Sequence, residues 1–313
     1  MTTAFITHGD YLKHVMGADH PECPERLGAI TQYLASTELG DRIKWLAAQT
    51  ASDEQIERVH PAEYICWLDS LQPERGLVYA DADTALNPHT MRAARLAAGA
   101  VTMATDMVLD QQVTNAFCAV RPPGHHAETS TAMGFCFFNN IAVGVEHALS
   151  RDEIKRVAIL DFDVHHCNGT IDSFKNRPEV LVCSTFQHPF YPLRYYDIQR
   201  PNIVNSPLRA GTKGSEFRLA VKRDWLPALH KHQPQMLFVS AGFDAHKNDP
   251  LGQLLLDESD YRWVTNIITE AAACYAKDRI VSSLEGGYNL LALAHSVHAH
   301  IDVLADKAGS MES

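Results

Sequence analysis

Five short apolar runs punctuate the chain, at residues 115–120, 157–160, 180–184, 236–240 and 280–284, each bounded by polar residues, glycine or proline. Uninterrupted runs of this length read as strands buried on both faces, as in a parallel sheet. Among them lie longer helical patterns at 89–109, 140–149, 217–232 and 259–277, the last following the acidic pair Asp257-Glu258. Strand and helix alternate, which predicts a doubly wound α/β sheet. The proline-containing stretch 189–207 reads as one long ordered loop, and long loops in compact domains are usually functional.

Polar residues gather where these strands end. The run 157–160 leads straight into Asp161, Asp163 and His165, and strand alternation points all three side chains to one face. Two carboxylates and an imidazole at the end of a buried strand need a metal or several hydrogen bonds, because an unpaired buried charge is very costly. Arg121-Pro-Pro-Gly-His125-His126 follows the first run, Ser240-Ala-Gly-Phe-Asp244 the fourth and Glu285-Gly-Gly-Tyr288 the fifth. Ligands of open parallel sheets bind beyond the carboxyl ends of the strands, so these distant groups are expected to converge. Asp163, His165 and Asp244 would then offer one nitrogen and two carboxylates with a position left open, the pattern of a catalytic metal site. A divalent metal so held would polarise a carbonyl and acidify a bound water, His125 and His126 could move the proton, and Tyr288 could donate to a developing oxyanion. Those parts describe metal-assisted hydrolysis of an amide or ester. Each also has a plainer reading: a loop pair for the histidines, a helix N-cap for Asp244 and a packed loop aromatic for Tyr288. His295, His298 and His300 lie on a helical pattern without matching acids and read as structural or surface residues.

Composition narrows the picture further. With 313 residues and 46% hydrophobic content the chain can bury a large core, and no linker, repeat or low-complexity tract divides it, so residues 1–313 are expected to form one domain. No apolar stretch is long enough to span a membrane, and the first residues lack a basic region followed by an apolar segment, so a cytoplasmic protein without a membrane partner is expected. Seven scattered cysteines without a CxxC pair indicate neither a disulfide framework nor a thiolate zinc site. A net charge of −11 with no Lys/Arg-rich run opposes a nucleic-acid partner; it would suit a cationic substrate, although acidity for solubility alone is the commoner case.

Taken in order, His20-Pro-Glu-Cys-Pro-Glu-Arg-Leu27, Arg121-Pro-Pro-Gly-His-His-Ala127, Met133-Gly-Phe-Cys-Phe-Phe-Asn-Asn140, Asp161-Phe-Asp-Val-His-His-Cys-Asn-Gly-Thr170, Ser240-Ala-Gly-Phe-Asp-Ala245, Asp249-Pro-Leu-Gly252 and Glu285-Gly-Gly-Tyr288 span most of the chain. In these motifs the sequence resembles the zinc-dependent histone deacetylase family, closest to its class II members and their bacterial relatives. The resemblance implies the arginase/deacetylase-like fold, a central mostly parallel sheet flanked by helices with the active site at the strands' C-terminal ends. It implies Zn²⁺ on Asp163, His165 and Asp244, His126 as general base and then acid, and His125 as electrostatic support. Asp161 matches the partner of His125, Asn168 the partner of His126, and Tyr288 the residue that polarises the substrate carbonyl. Gly134, Phe135 and Tyr191 would line a narrow tunnel suited to the stem of an acetylated lysine or acetylated small amine. Leu251 matches a rim residue that is Glu in a polyamine-selective relative, and Arg26 resembles an arginine near an internal acetate-exit channel. A structural K⁺ is implied at Asp161, Asp163, His165 and Ser184. Cys167 replaces the family's usual glycine, from which weak sensitivity to oxidation is expected, and Tyr191 replaces the usual phenylalanine. The expected function is zinc-dependent deacetylation. An acetylpolyamine amidohydrolase, a dimanganese hydrolase of the arginase type and a non-catalytic acyl-amine binding protein are the rivals. Substrate choice is expected to reside in loops 13–25 and 189–207, and a homo-oligomer is plausible.

Overall fold

A computed structural model describes residues 2–310 of the chain. Its main sheet contains β1 (Thr3–Thr7), β2 (Ile43–Ala47), β5 (Asn115–Cys118), β6 (Val157–Asp161), β7 (Val180–Gln187), β8 (Ile203–Leu208), β9 (Met236–Ala241) and β10 (Ile280–Leu284); β3 (Val78–Asp81) and β4 (Thr84–Leu86) form a separate antiparallel hairpin. The strand order is β2-β1-β5-β10-β9-β6-β7-β8, and every pairing in the sheet is parallel. Helices Thr90–Leu109 and Asn140–Leu149 pack against each other, and Glu258–Tyr275 packs against Leu290–Ser310, with the sheet between the layers. All five expected strands are present. β6, β7, β9 and β10 are buried along their whole lengths, which is why their sequences carry no polar alternation.

The order of strands places the site. β5, β10, β9 and β6 are consecutive neighbours, although the chain visits them as β5, β6, β9, β10. Each of these four strands runs into one of the polar motifs, so four segments spread over some 170 residues of sequence open onto one edge of the sheet.

Three expectations change. The loop expected at 189–207 ends in the edge strand β8, whose apolar pattern is broken by Asn205 and Pro207; a proline is tolerated there because β8 pairs on one side, with β7. β1, β2 and the β3–β4 hairpin were not anticipated: β1 and β2 are short and pair with distant segments, and the hairpin strands are only four and three residues long. The helix expected at 217–232 begins at Gly214 and passes through a π-helical stretch, Val221–Trp225, before Leu226–His232. Pro227 accounts for the widening: it cannot donate to the preceding turn, and its ring would clash there.

One buried side chain closes the junction between helix Asn168–Phe174 and β7. The Asn202 amide nitrogen lies 2.8 Å from the Phe174 carbonyl, 3.0 Å from that of Arg177 and 3.0 Å from that of Val180. Asn202→Ala strips these carbonyls of their donor and is expected to lower stability by about 2–3 kcal/mol. Urea unfolding followed by circular dichroism measures it; an unchanged midpoint would rule out the tether.

Candidate active site

β6 ends at Asp161, so simple strand alternation does not carry Asp163 and His165 to the site. The turn beyond the strand is held instead by carboxylates: the Asp163 N–H donates to Asp161 Oδ1 at 3.1 Å and the His165 N–H to Asp163 Oδ1 at 2.8 Å. Asp244 arrives from the turn after β9, where its Oδ1 accepts the Val164 N–H at 2.8 Å. His165 Nδ1 then stands 3.1 Å from Asp163 Oδ1 and 3.1 Å from Asp244 Oδ2. The ligand atoms of Asp163, His165 and Asp244 all lie within 4.8 Å of one another, and the two carboxylates are fully buried.

Electrostatics couples the three groups. Burial raises the Asp244 carboxyl and Asp163 raises it further, while His165 is lifted, against burial, by its bonds to both carboxylates. Two buried anions facing one imidazole form a donor set, one nitrogen and two oxygens with an open position, that would suit a divalent cation. Glycines keep the space clear. A methyl group on Gly242 would strike the Asp163 carboxylate, and one on Gly286 would strike the carboxylates of Asp163 and Asp244.

The histidine pair stands beside this cluster. His125 Nδ1 donates to Asp161 Oδ2 at 3.0 Å, and His126 Nδ1 pairs with Asn168 Oδ1 at 2.8 Å, the two rings lying 4.1 Å apart. Burial pulls His125 down, but Asp163 and Asp161 outweigh it and hold the imidazole well above its ordinary value. Burial, reinforced by His125 and His165, holds His126 well below. The two rings are therefore pushed in opposite directions, His125 toward the charged form and His126 toward the neutral one. Glu285 fixes their backbone, accepting the N–H groups of Gly124 at 2.7 Å and His125 at 3.1 Å.

A cavity of about 330 Å³ leads to these groups and is lined by His126, His165, Phe135, Tyr191, Leu251 and Tyr288, among others. Gly134 forms part of its wall at φ 57°, where a side chain would collide with the His126 ring. Tyr191 meets His126 edge-on at 5.2 Å and turns its ring to the cavity while its hydroxyl is buried, so the extra oxygen does not line the opening. Burial raises the Tyr288 phenol well above its ordinary value, which keeps it a proton donor. Asp249 accepts the N–H groups of Tyr288 at 2.6 Å and Leu251 at 2.9 Å, tying the phenol's loop to the rim.

The family described as histone deacetylase domain matches residues 20–304. The chain belongs to the histone deacetylase family. It is 38% identical to the histone deacetylase-like amidohydrolase of Pseudomonas aeruginosa over 90% of this chain and 76% of that one. It is 34% identical to polyamine deacetylase HDAC10 of Mus musculus, over 97% of this chain and 48% of that one. The crystal structure of the HDA15 HD domain superposes with a TM-score of 0.92 at 32% identity, over 99% of this chain and 92% of that one. The chain is thus a hydrolytic enzyme, a deacetylase of a zinc-dependent family.

Several working residues of this deacetylase escaped the reading of single positions. Asp83, on the turn between β3 and β4, lines the cavity and accepts the Gly134 N–H at 3.1 Å, while Thr84 accepts that of Phe135. Nothing in the sequence pattern marks that hairpin. Phe190 stacks on His165 at 5.4 Å. Glu22, Arg121, Asp249 and Glu285 lay inside recognised motifs but had no assigned task. Cys167 is buried, and burial followed by the charge of Asp161 pushes its thiol well above the ordinary value, which argues against the expected oxidation sensitivity. His300 is buried between Thr265 and Ser282, and His295 and His298 pack on Tyr33, as structural residues do.

Glu22 links the site to the rest of the chain. Its carboxylate accepts Arg121 Nη2 at 2.7 Å and Arg26 Nη1 at 3.1 Å, all three side chains being fully buried. Arg26 in turn donates to the carbonyls of Glu285 and Gly287 and places its guanidinium 4.9 Å from the centre of the Tyr288 ring. Burial raises the Glu22 carboxyl, but Arg121 and Arg26 outweigh it and bring it from 4.5 down to about 2. A carboxyl lowered on folding adds stability that is full above pH 4.5 and is lost as the pH falls toward about 2. Glu22→Gln is expected to cost about 3–5 kcal/mol at neutral pH, with the gap to wild type narrowing through that acid window. Chemical denaturation at neutral and acid pH checks this, and a gap independent of pH would contradict it.

Proposed function

We propose that the chain hydrolyses the amide of acetylated lysine side chains or small acetylated amines, with Zn²⁺ held by Asp163, His165 and Asp244. The grouping of that ligand set around His165, which lines one cavity together with His126 and Tyr288, carries the reading. Bound Zn²⁺ supplies Lewis-acid polarisation of the acyl carbonyl and acidification of water. His126, kept neutral, takes the proton from the attacking water and passes it to the leaving amine. His125, bonded to Asp161, supports the negative charge that develops, and Tyr288 donates a hydrogen bond to the former carbonyl oxygen. Phe135 and Tyr191 flank the methylene stem of the substrate, with Gly134 leaving room between them. Arg26 holds the carbonyl groups that flank Tyr288's loop.

Leu251 at the cavity wall favours lysine side chains over polyamines, since a second ammonium finds no carboxylate at that position. A structural K⁺ fits Asp161, Asp163, His165 and Ser184: the buried Ser184 hydroxyl is opposite Asp161 in the β6–β7 register and has no oxygen or nitrogen partner among the described residues. Seven free cysteines suit a reducing compartment such as the cytoplasm. No described helix is long and apolar enough to cross a membrane.

Hydrolysis of a fluorogenic acetyl-lysine peptide, measured beside acetylated polyamines, tests the reading. Chelation is expected to abolish turnover and Zn²⁺ to restore it. Tyr288→Phe is expected to lower kcat by about 10²–10³ with KM little changed. Tight binding of acetylated ligands without turnover by the zinc-loaded protein would overturn the proposal in favour of a binding protein, and faster polyamine hydrolysis would reverse the substrate order.

A further inference from the structure

His126 does not end its hydrogen-bond chain at Asn168. The Asn168 amide nitrogen faces Glu128 Oε1 at 2.9 Å, the His126 carbonyl at 3.3 Å and the Met133 sulfur at 3.3 Å. All three are acceptors. A flipped carboxamide would aim its oxygen at them, with the carboxylate as the strongest repulsion, so Oδ1 is forced toward His126 Nδ1. An acceptor there requires a proton on Nδ1 of the neutral ring, leaving Nε2 as the basic nitrogen. Glu128 is itself buried, 7% exposed, and is held by Arg194 Nη1 at 2.8 Å on its other oxygen. Arg194 follows Tyr191 by three residues on the loop that walls the cavity, and that loop is tied again where the Tyr195 hydroxyl donates to Asp172, which also accepts the Thr129 N–H.

The geometry points to Glu128 as a positioning residue: pinned by Arg194, it orients Asn168 and thereby sets the tautomer of His126. This rests on the deacetylase reading in which His126 is the base. The wall loop and the base are thus coupled through one ion pair, Arg194 to Glu128.

The test combines ¹⁵N-histidine NMR of the full zinc-loaded chain with steady-state kinetics on an acetyl-lysine peptide. Wild type is expected to show His126 with its proton on Nδ1. In Glu128→Gln the new amide can donate to a flipped Asn168, so a mixture of tautomers is expected, with kcat roughly tenfold lower and KM little changed. The double variant Glu128→Gln with Asn168→Asp should recover the Nδ1–H tautomer and most of kcat, because a carboxylate at 168 accepts in either orientation. Arg194→Met, at a half-exposed position, should shift tautomer and kcat the same way by less. Wild-type tautomer and kcat in Glu128→Gln, or a double variant no faster than Glu128→Gln, would overturn the proposal. A wild type without turnover would sink the deacetylase reading instead, and the tautomer comparison would still decide the role of Glu128.

Discussion

The site depends on one buried carboxylate. Glu22 is the anion shared by Arg26 and Arg121, and without it two guanidiniums would stand in the interior uncompensated. Each arginine spends its remaining donors on backbone carbonyls: Arg26 on Glu285 and Gly287, Arg121 on Tyr11 and Glu22. The loop bearing the histidine pair and the loop bearing Tyr288 are therefore fastened to the first turns of the chain by an ionic frame. Apolar packing alone is non-directional and would leave these glycine-rich loops free to shift; directional bonds to their carbonyls do not.

Around the reaction centre the carboxylates divide into two kinds. Asp249 and Glu285 are occupied by backbone N–H groups and hold loops in place. Asp163 and Asp244 each give oxygens to the backbone and still turn an oxygen toward His165. That division lets several buried acids coexist, since backbone amides satisfy each of them in part and only the facing pair shares an imidazole. The histidines separate as well: Asp163 and Asp161 push His125 toward its charged form, while burial and the neighbouring imidazoles hold His126, bonded to the neutral amide of Asn168, below its ordinary value.

Much of this was legible before any coordinates. The buried strands announced themselves because a parallel sheet covered on both faces admits no polar alternation, and the reactive residues stood out because acids and histidines at strand ends cannot be left unpaired. His126, His165 and Tyr288 line one cavity, with Asp163 and Asp244 grouped around His165 and His125 beside His126. Other features were silent. β8 hid behind Asn205 and Pro207, which only an edge strand tolerates, and Asp83 sat on a hairpin whose residues match no motif.

The sequence by itself determined the chemistry and the class of fold, because residue type and local period depend on neighbours along the chain. It could not determine which strands are adjacent. Placing β10 and β9 between β5 and β6 is a choice of long-range pairing, and that choice brings Glu285 under the histidine pair and Asp244 beside His165. Nor could it show that Glu128 stands behind Asn168 or that Glu22 joins two arginines, since a side chain's hydrogen-bond partner is fixed by distance in space and not by spacing in sequence.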